Sequence, residues 1–581
     1  MGKGFAMSRT VKSLGAICLA GLLTLVFGSQ FGGCSKSSST PQTSQATGAA
    51  ESGPPKPVGP LVEVTFTYGS EKKAWISKVT DDFNAAKHTI AKGTPIWINA
   101  IPEGSGDCID ELLSGARKTD LCSPASGAFV TLGNAESRAK SGGDLIGPTQ
   151  NLVLSPVVVA MWKPMAEALG WGQKPIGWSD ILAITQNPAG WAAYGHPEWG
   201  KFKFGHTHPD FSNSGLITSL AIVYAATGKQ SGLTLDDVAN PATGTFMSQI
   251  EASVQHYGSS TGFFADKLVA GGPSYLSAAV LYESVVCDSY KQKDTLPFPL
   301  VAIYPKEGTF WSDHPIGVVQ RPWVTDDKKE AAKIFTDYLL ANPQQVQALT
   351  FGFRPGDPTV PLGAPITADF GVDPKEPKTT LAVPSADVMN AILQLWHQHK
   401  KAANIVMVLD TSGSMNDQSK LVNAKIGAAQ LIGQLEAADT LSLLPFSDQM
   451  RWSGQGLSMA TQRDVATNTI QSLIADGDTR LYDSIDAAVQ YLKTHPTPDK
   501  ISAVVVLTDG EDNESSLKLD NLVSRVKFDG EKQAIRIFTI GYGSDADESV
   551  LKRIADSSSA KYYKGTPQNI RDVFRDIATF F

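Results

Sequence analysis

In Asn404-Ile405-Val406-Met407-Val408-Leu409-Asp410-Thr411-Ser412-Gly413-Ser414, five apolar residues run straight into a carboxylate and then two hydroxyls set two apart. A continuous Ile/Val/Met/Leu run predicts a strand buried on both faces. Gly413 permits the tight turn that follows it. Further apolar runs lie at 440–446, 502–507 and 535–541, and helical patterns fall between them near 417–435, 480–492 and 515–526. Strands alternating with helices predict an α/β fold with a mostly parallel sheet covered on both faces. In open sheets of this kind the ligand sits at the carboxyl ends of the strands.

Two more loops fall at such ends. Gly477-Asp478-Thr479 offers a hydroxyl just before a helix, and Thr508-Asp509-Gly510 offers a second carboxylate. Any one of these loops is explained as a turn, because Asp, Ser, Thr and Gly favour turns. Three in register at strand ends point further. Asp410, Ser412, Ser414, Thr479 and Asp509 all present oxygen, and none of the five is His or Cys. Hard oxygen donors favour Mg²⁺, Mn²⁺ or Ca²⁺ over Zn²⁺. Glu511 and Asp512 read as a solvated loop.

Residues 401–581 thereby resemble the von Willebrand factor type A domain with its metal-ion-dependent adhesion site. The resemblance implies a Rossmann-like, doubly wound fold. It implies that Ser412 and Ser414 bind the cation directly, that Thr479 joins them, and that Asp410 and Asp509 act through water. It also implies an open metal position, filled by an acidic group of a protein partner. Mg²⁺ is the cation it suggests first, with Mn²⁺ and Ca²⁺ open.

Residues 61–358 form a second α/β region. Strands are expected at 62–68, 95–101, 152–161 and 300–304, with helices at 71–86, 216–226 and 328–340. Glu103-Gly104-Ser105-Gly106-Asp107 is a Gly/Ser loop opening a helix, which makes either an ordinary helix cap or an anion cradle. The layout resembles the type 2 periplasmic, or extracellular, solute-binding proteins, with two lobes and a ligand cleft between them. On that resemblance 152–161 and 278–286 are the crossovers between lobes. Ser105 and Ser126 in one lobe, and Ser212 and Ser214 in the other, would grip a small-molecule or oxyanion ligand. Glu283, on the second crossover, would face the cleft and disfavour a simple oxyanion. His206 and His208 form an HxH pair, for which a turn-rich loop is the plainer account. Trp171, Trp178, Trp191 and Trp199 read as core or lid. The Pro/Gly/Asp-rich stretch 356–383 reads as a linker or strap, and 387–400 as a helix.

The N-terminus reads as an address. Lys3, Arg9 and Lys12 precede an uncharged run from Ser13 to Gly33, the layout of a secretory signal. Gly32-Gly33-Cys34 resembles a bacterial lipobox, which would make Cys34 the lipidated first residue of the mature chain. An uncleaved membrane anchor is the alternative. Residues 35–60 are rich in Ser, Thr, Gln, Gly and Pro and read as a flexible tether. Cys108 and Cys122 are close enough in sequence to pair in an oxidising compartment, and Cys287 reads as a buried thiol.

Composition narrows the rest. The 581 residues are 42% hydrophobic and 19% charged, so the chain can bury sizeable cores. A net charge of -8, with no basic block, argues against nucleic acid as the main partner. No GxxxxGK[ST] loop and no HExxH motif occurs. Gly258-Ser259-Ser260-Thr261-Gly262 matches GxSxG but lacks a preceding strand, so it reads as a turn. The organisation expected is a signal at 1–34, a linker at 35–60, a two-lobe domain at 61–358, a linker and helix at 359–400, and the adhesion-type domain at 401–581. The expected function is a membrane-anchored, non-enzymatic binding protein of the cell envelope. A solute-binding component of an ABC-type transport or sensing system is the alternative.

Overall fold

The computed structural model describes residues 54–527 and 535–581. The signal, the proposed lipid site at Cys34 and most of the tether lie outside the described residues. Residues 54–60 carry neither helix nor strand.

Lobe one is built on β1 (Val62–Gly69), β2 (Ile96–Glu103), β3 (Leu121–Ser123) and β4 (Ile146–Asn151), in the sheet order β2-β1-β3-β10-β4. β1 runs parallel to β2 and β3, and β10 (Pro315–Val319) runs antiparallel to β3 and β4. On β1 the alternating Val64, Phe66 and Tyr68 enter the core, where Phe66 meets the ring edge of Phe335 at 5.7 Å.

Lobe two centres on β5 (Val153–Trp162). β7 (Ala278–Tyr282), β8 (Leu300–Ile303), β9 (Trp311–Ser312) and β11 (Arg354–Pro355) all pair antiparallel with it, and β6 (Phe204–Gly205) pairs parallel with β7. The chain enters lobe two between β4 and β5 and returns between β9 and β10. The first crossover falls at the start of the expected stretch 152–161, the rest of which is strand β5 of lobe two. The second is not at 278–286: that stretch is strand β7 followed by the helix Glu283–Ser289. An apolar run of this length carries no period that separates a strand from a buried helix. The stretch after β11 is a strap packed on lobe two, with Ile366, Val372 and Leu381 buried.

The third sheet has the order β14-β13-β12-β15-β16-β17. Its strands are β12 (Ala403–Asp410), β13 (Thr440–Phe446), β14 (Gly454–Ser458), β15 (Ile501–Thr508), β16 (Ile535–Tyr542) and β17 (Tyr562–Gly565). All neighbours are parallel except β14, which is antiparallel to β13. β12 is buried along its whole length. Ile405, Met407 and Leu409 face the helices Lys420–Gln434 and Ile570–Ala578, whereas Val406 and Val408 face the helix Leu481–Thr494. Those two helices approach closely because position 427 is glycine: a Cβ there would stand 2.4 Å from Phe574 Cδ2.

This C-terminal domain packs on both lobes. From the connecting helix Ala386–His399, Trp396 Nε1 donates to Glu251 Oε1 of lobe two at 3.2 Å. His397 bridges Asp210 of lobe two (2.9 Å) and Glu436 of the C-terminal domain (2.8 Å). Tyr257 OH accepts from the Lys401 backbone N–H at 2.9 Å, and Arg575 lies 3.7 Å from Glu111 of lobe one.

Candidate metal centre and interlobe cleft

The C-terminal ends of β12 and β15 place two carboxylates side by side. Asp410 closes β12 and is fully buried. Its Oδ1 accepts from the Ser412 backbone N–H (2.8 Å) and its Oδ2 from Thr508 Oγ1 (2.6 Å). Burial pushes its carboxyl above the ordinary value, against those hydrogen bonds, and neighbouring Asp509 adds to the rise. Asp509 is also fully buried; its Oδ1 accepts from Ser414 Oγ at 2.7 Å. Ser412 Oγ and Ser414 Oγ are 3.1 Å apart.

The third loop closes on these two. Gly477 O accepts from the Gly413 N–H at 2.9 Å, and a Cβ on Gly510 would stand 3.6 Å from Thr479 Oγ1. Gly477 is required on two counts: its φ is +83°, and a Cβ would come within 2.5 Å of Asp448 Oδ1. The structure therefore brings Asp410, Ser412, Ser414, Thr479 and Asp509 together at one edge of the sheet. The Asp512 loop is not merely solvated. Asp512 Oδ1 accepts from the Leu481 and Tyr482 N–H groups and so caps the helix Leu481–Thr494. Asn513 Oδ1 accepts from Thr479 N–H at 2.8 Å and fixes that residue.

A hard divalent cation fits this donor set. Two desolvated carboxylates carry like charge in a buried place, and three hydroxyls add neutral oxygens around them. Among the described residues no group of three or more His, Cys, Asp or Glu side chains could hold a metal, so any site here depends on the hydroxyls. Lys420, which the sequence did not single out, also reaches the site: its ammonium is 2.6 Å from Asp509 Oδ2.

The cleft residues are engaged with one another. Ser105, Ser126, Ser212 and Ser214 are all buried. Ser105 Oγ accepts from the Ala125 N–H at 2.9 Å. Ser126 Oγ donates across the cleft to Asn213 Oδ1 at 2.7 Å. Asn213 Nδ2 in turn donates to Tyr282 OH and Ser312 Oγ. Ser214 Oγ bonds Thr207 Oγ1 (2.7 Å) and Thr261 Oγ1 (2.9 Å), and Thr261 also lies 3.3 Å from Ser212 Oγ. Glycines 104 and 106 let lobe one touch lobe two: a Cβ on Gly106 would fall 1.9 Å from Asp210 O.

Glu283 does not face an open cleft. It is fully buried, and Arg354 grips both its oxygens at 2.7 and 2.6 Å, with Tyr304 OH also donating. Cys108 and Cys122, expected to pair, lie beside each other as free buried thiols, and Cys108 Sγ lies 2.8 Å from Thr67 Oγ1. His206 binds Glu251 at 3.0 Å, while His208 packs on Trp396, with burial pushing its imidazole down to about 3. Trp178 and Trp191 are core residues. At the mouth of the cleft lies a groove of 740 Å³, lined by Ser70, Lys73, Gly262, Ser284 and Lys561 among others.

Two lobes with two crossovers, joined to a mostly parallel sheet with hydroxyl and carboxylate loops at its carboxyl edge, make a two-part molecule. The model of the bacterial extracellular solute-binding protein family matches residues 77–374, about half the chain, and the chain belongs to that family. The von Willebrand factor type A domain matches residues 404–576. Among curated relatives, the uncharacterised protein sll0103 of Synechocystis is 29% identical over 186 residues, 31% of this chain and 42% of that protein. The human inter-alpha-trypsin inhibitor heavy chain H2 is 26% identical over 162 residues, 27% of this chain and 17% of that protein. The chain thus spans less than half the length of either relative. Among solved structures, a von Willebrand factor type A protein from Catenulispora acidiphila has 23% identity and a TM-score of 0.27, covering 31% of this chain and 42% of that one. The periplasmic binding protein AfuA from Actinobacillus pleuropneumoniae has 12% identity and a TM-score of 0.40, covering 58% of this chain and 99% of that one. The two family matches support an extracellular binding protein and suggest an extracytoplasmic location. No helix among the described residues is long and apolar enough to cross a membrane.

Proposed function

We propose that this chain is a membrane-tethered, non-enzymatic binding protein of the cell envelope that engages a protein partner through a divalent cation. The cation is held by Asp410, Ser412, Ser414, Thr479 and Asp509, and an acidic group of the partner completes its coordination. Mg²⁺ is the first candidate, with Mn²⁺ or Ca²⁺ also suited to oxygen donors. Lipid on Cys34 tethers the chain. The observation that carries this reading is the convergence of two buried carboxylates and three hydroxyls from three separate loops on one sheet edge. The adjoining surface suits a protein partner: Ile474 is 82% exposed, and Asn416 ties its segment to the Ser412–Ser414 loop through Ala475 O. Membrane-fraction pull-down from the native envelope, with Mg²⁺ or with EDTA, tests the reading. Partner capture that survives EDTA and the Asp410→Ala substitution would remove it.

Membership of the solute-binding family favours a second reading, in which the chain is the solute-binding component of an ABC-type transport or sensing system. Its site would be the groove at the cleft mouth, where Ser284 Oγ is buried and has no hydrogen-bond partner among the described residues. The self-satisfied cleft serines weigh against it. A melting-temperature rise with a small solute that survives Asp410→Ala would favour it.

A further inference from the structure

Lys420 opens the helix Lys420–Gln434 and is 6% exposed. It is delivered to the candidate metal centre by an unusual backbone. Gln418 and Ser419, immediately before it, both sit in the left-handed region with φ of 50° and 59°. Non-glycine residues rarely adopt that conformation, and two in succession persist only where the surroundings enforce them. The side chain packs beside Gly543, where a Cβ would stand in ordinary contact, 3.4 Å from Lys420 Cε.

The ammonium then meets two carboxylates. Asp509 Oδ2 is 2.6 Å away, and Asp545 Oδ2, on a side chain that is 73% exposed, is 3.8 Å away. With Ser414 Oγ on Oδ1, both oxygens of Asp509 are engaged. The pair Asp410 and Asp509 would offer a cation two negative charges, and Lys420 cancels one of them.

We propose that Lys420 is a built-in counter-cation that competes with the divalent metal for Asp509, with Asp545 as its second seat. It sets the metal affinity low, and because its second seat Asp545 is exposed and screened by solvent, the buried centre of metal, Asp410, Asp509 and Lys420 is left with a surplus positive charge, which an acidic partner group neutralises. Metal and partner carboxylate then bind with positive coupling, because each relieves a charge the other leaves unmet. This rests on the metal-dependent reading above.

The test is Mn²⁺ titration of the full-length chain, followed by the electron paramagnetic resonance signal of free Mn²⁺. Lys420→Met is expected to tighten Mn²⁺ binding at least tenfold, about 1.4 kcal/mol. Lys420→Gln, which keeps a hydrogen-bonding head without charge, is expected to do the same and guards against misfolding of the first variant. Asp545→Asn, an exposed change, is expected to weaken binding threefold or more by removing the second seat. Unchanged or weaker binding in both Lys420 variants would overturn the proposal while leaving the metal site standing. Absence of Mn²⁺ binding in wild type, Lys420→Met and Lys420→Gln alike would overturn both. Acetate, used as the carboxylate probe, is expected to tighten Mn²⁺ binding in wild type more than in Lys420→Met; an equal effect would overturn the coupling.

Discussion

Ser126 Oγ donates to Asn213 Oδ1 across the interlobe cleft at 2.7 Å, joining the N-cap of the helix Gly127–Ser141 in lobe one to the first residue of the helix Asn213–Thr227 in lobe two. Both residues are about 1% exposed. The contact joins the two lobes directly, side chain to side chain, at buried positions.

Ser126→Ala should therefore strand a buried amide oxygen. The cost expected is about 1–3 kcal/mol in denaturant unfolding. Amide exchange should also quicken at the start of both helices. An unchanged midpoint and unchanged exchange would mean that closure rests on other contacts.

His397 makes the union of lobe two and the C-terminal domain depend on pH. Burial opposes its protonation, but hydrogen bonds to Asp210 and Glu436 outweigh burial and raise it to about 9. Its unfolded value is about 6.5. The stabilisation is thus fully present below about pH 6.5 and is lost as pH rises through about 9. The loss expected is on the order of 3 kcal/mol. Urea midpoints at pH 6 and 9.5 measure it, and His397→Gln should flatten the difference. A wild-type midpoint that rises with pH would contradict the assignment.

Two glycines of one helix should respond oppositely to alanine. Gly427→Ala drives a methyl into Phe574 Cδ2, 2.4 Å away, and should destabilise by about 1–3 kcal/mol. Gly433 is in the same helix with nothing within 4 Å of its Cβ position. Gly433→Ala should stabilise by about 0.5–1 kcal/mol through helix propensity. Thermal melts of the two variants decide, and equal shifts would be the contrary result.

Arg354→Met removes the charge partner of a fully buried Glu283 and three hydrogen bonds to the strap carbonyls of Asp373, Pro374 and Glu376. Breaking such a pair from one side costs about 3–5 kcal/mol. Proteolysis at residues 356–383 should accelerate with it. Intact resistance to protease would show the strap held by Ile366, Val372 and Leu381 alone.

The four inner strands of the third sheet were legible because they are buried on both faces and their loop residues come in short local motifs, whereas the part-exposed edge strands β14 and β17 carry no continuous apolar run. Asp410, Ser412 and Ser414 span five positions, and Thr479 and Asp509 each sit in a three-residue turn. What stayed hidden depends on long-range geometry. Lys420 reaches Asp509 only because Gln418 and Ser419 turn the chain through a left-handed bend. Asp512 looked like one acid in an acidic loop, yet it caps a helix 31 residues away in sequence. In the lobes, Ala278–Tyr282 and Glu283–Ser289 merge into one apolar run, so the second crossover was set too early. The pairing of Glu283 with Arg354, 71 residues apart, left no local signal.

Calorimetric titration of Mg²⁺ into the full-length chain and its Asp410→Ala variant tests the metal-dependent account most directly. One saturable site per chain in the wild type, lost in the variant while the EDTA melting temperatures of the two stay close, is the result expected. No saturable heat in the wild type, or equal affinity in both proteins, would contradict it.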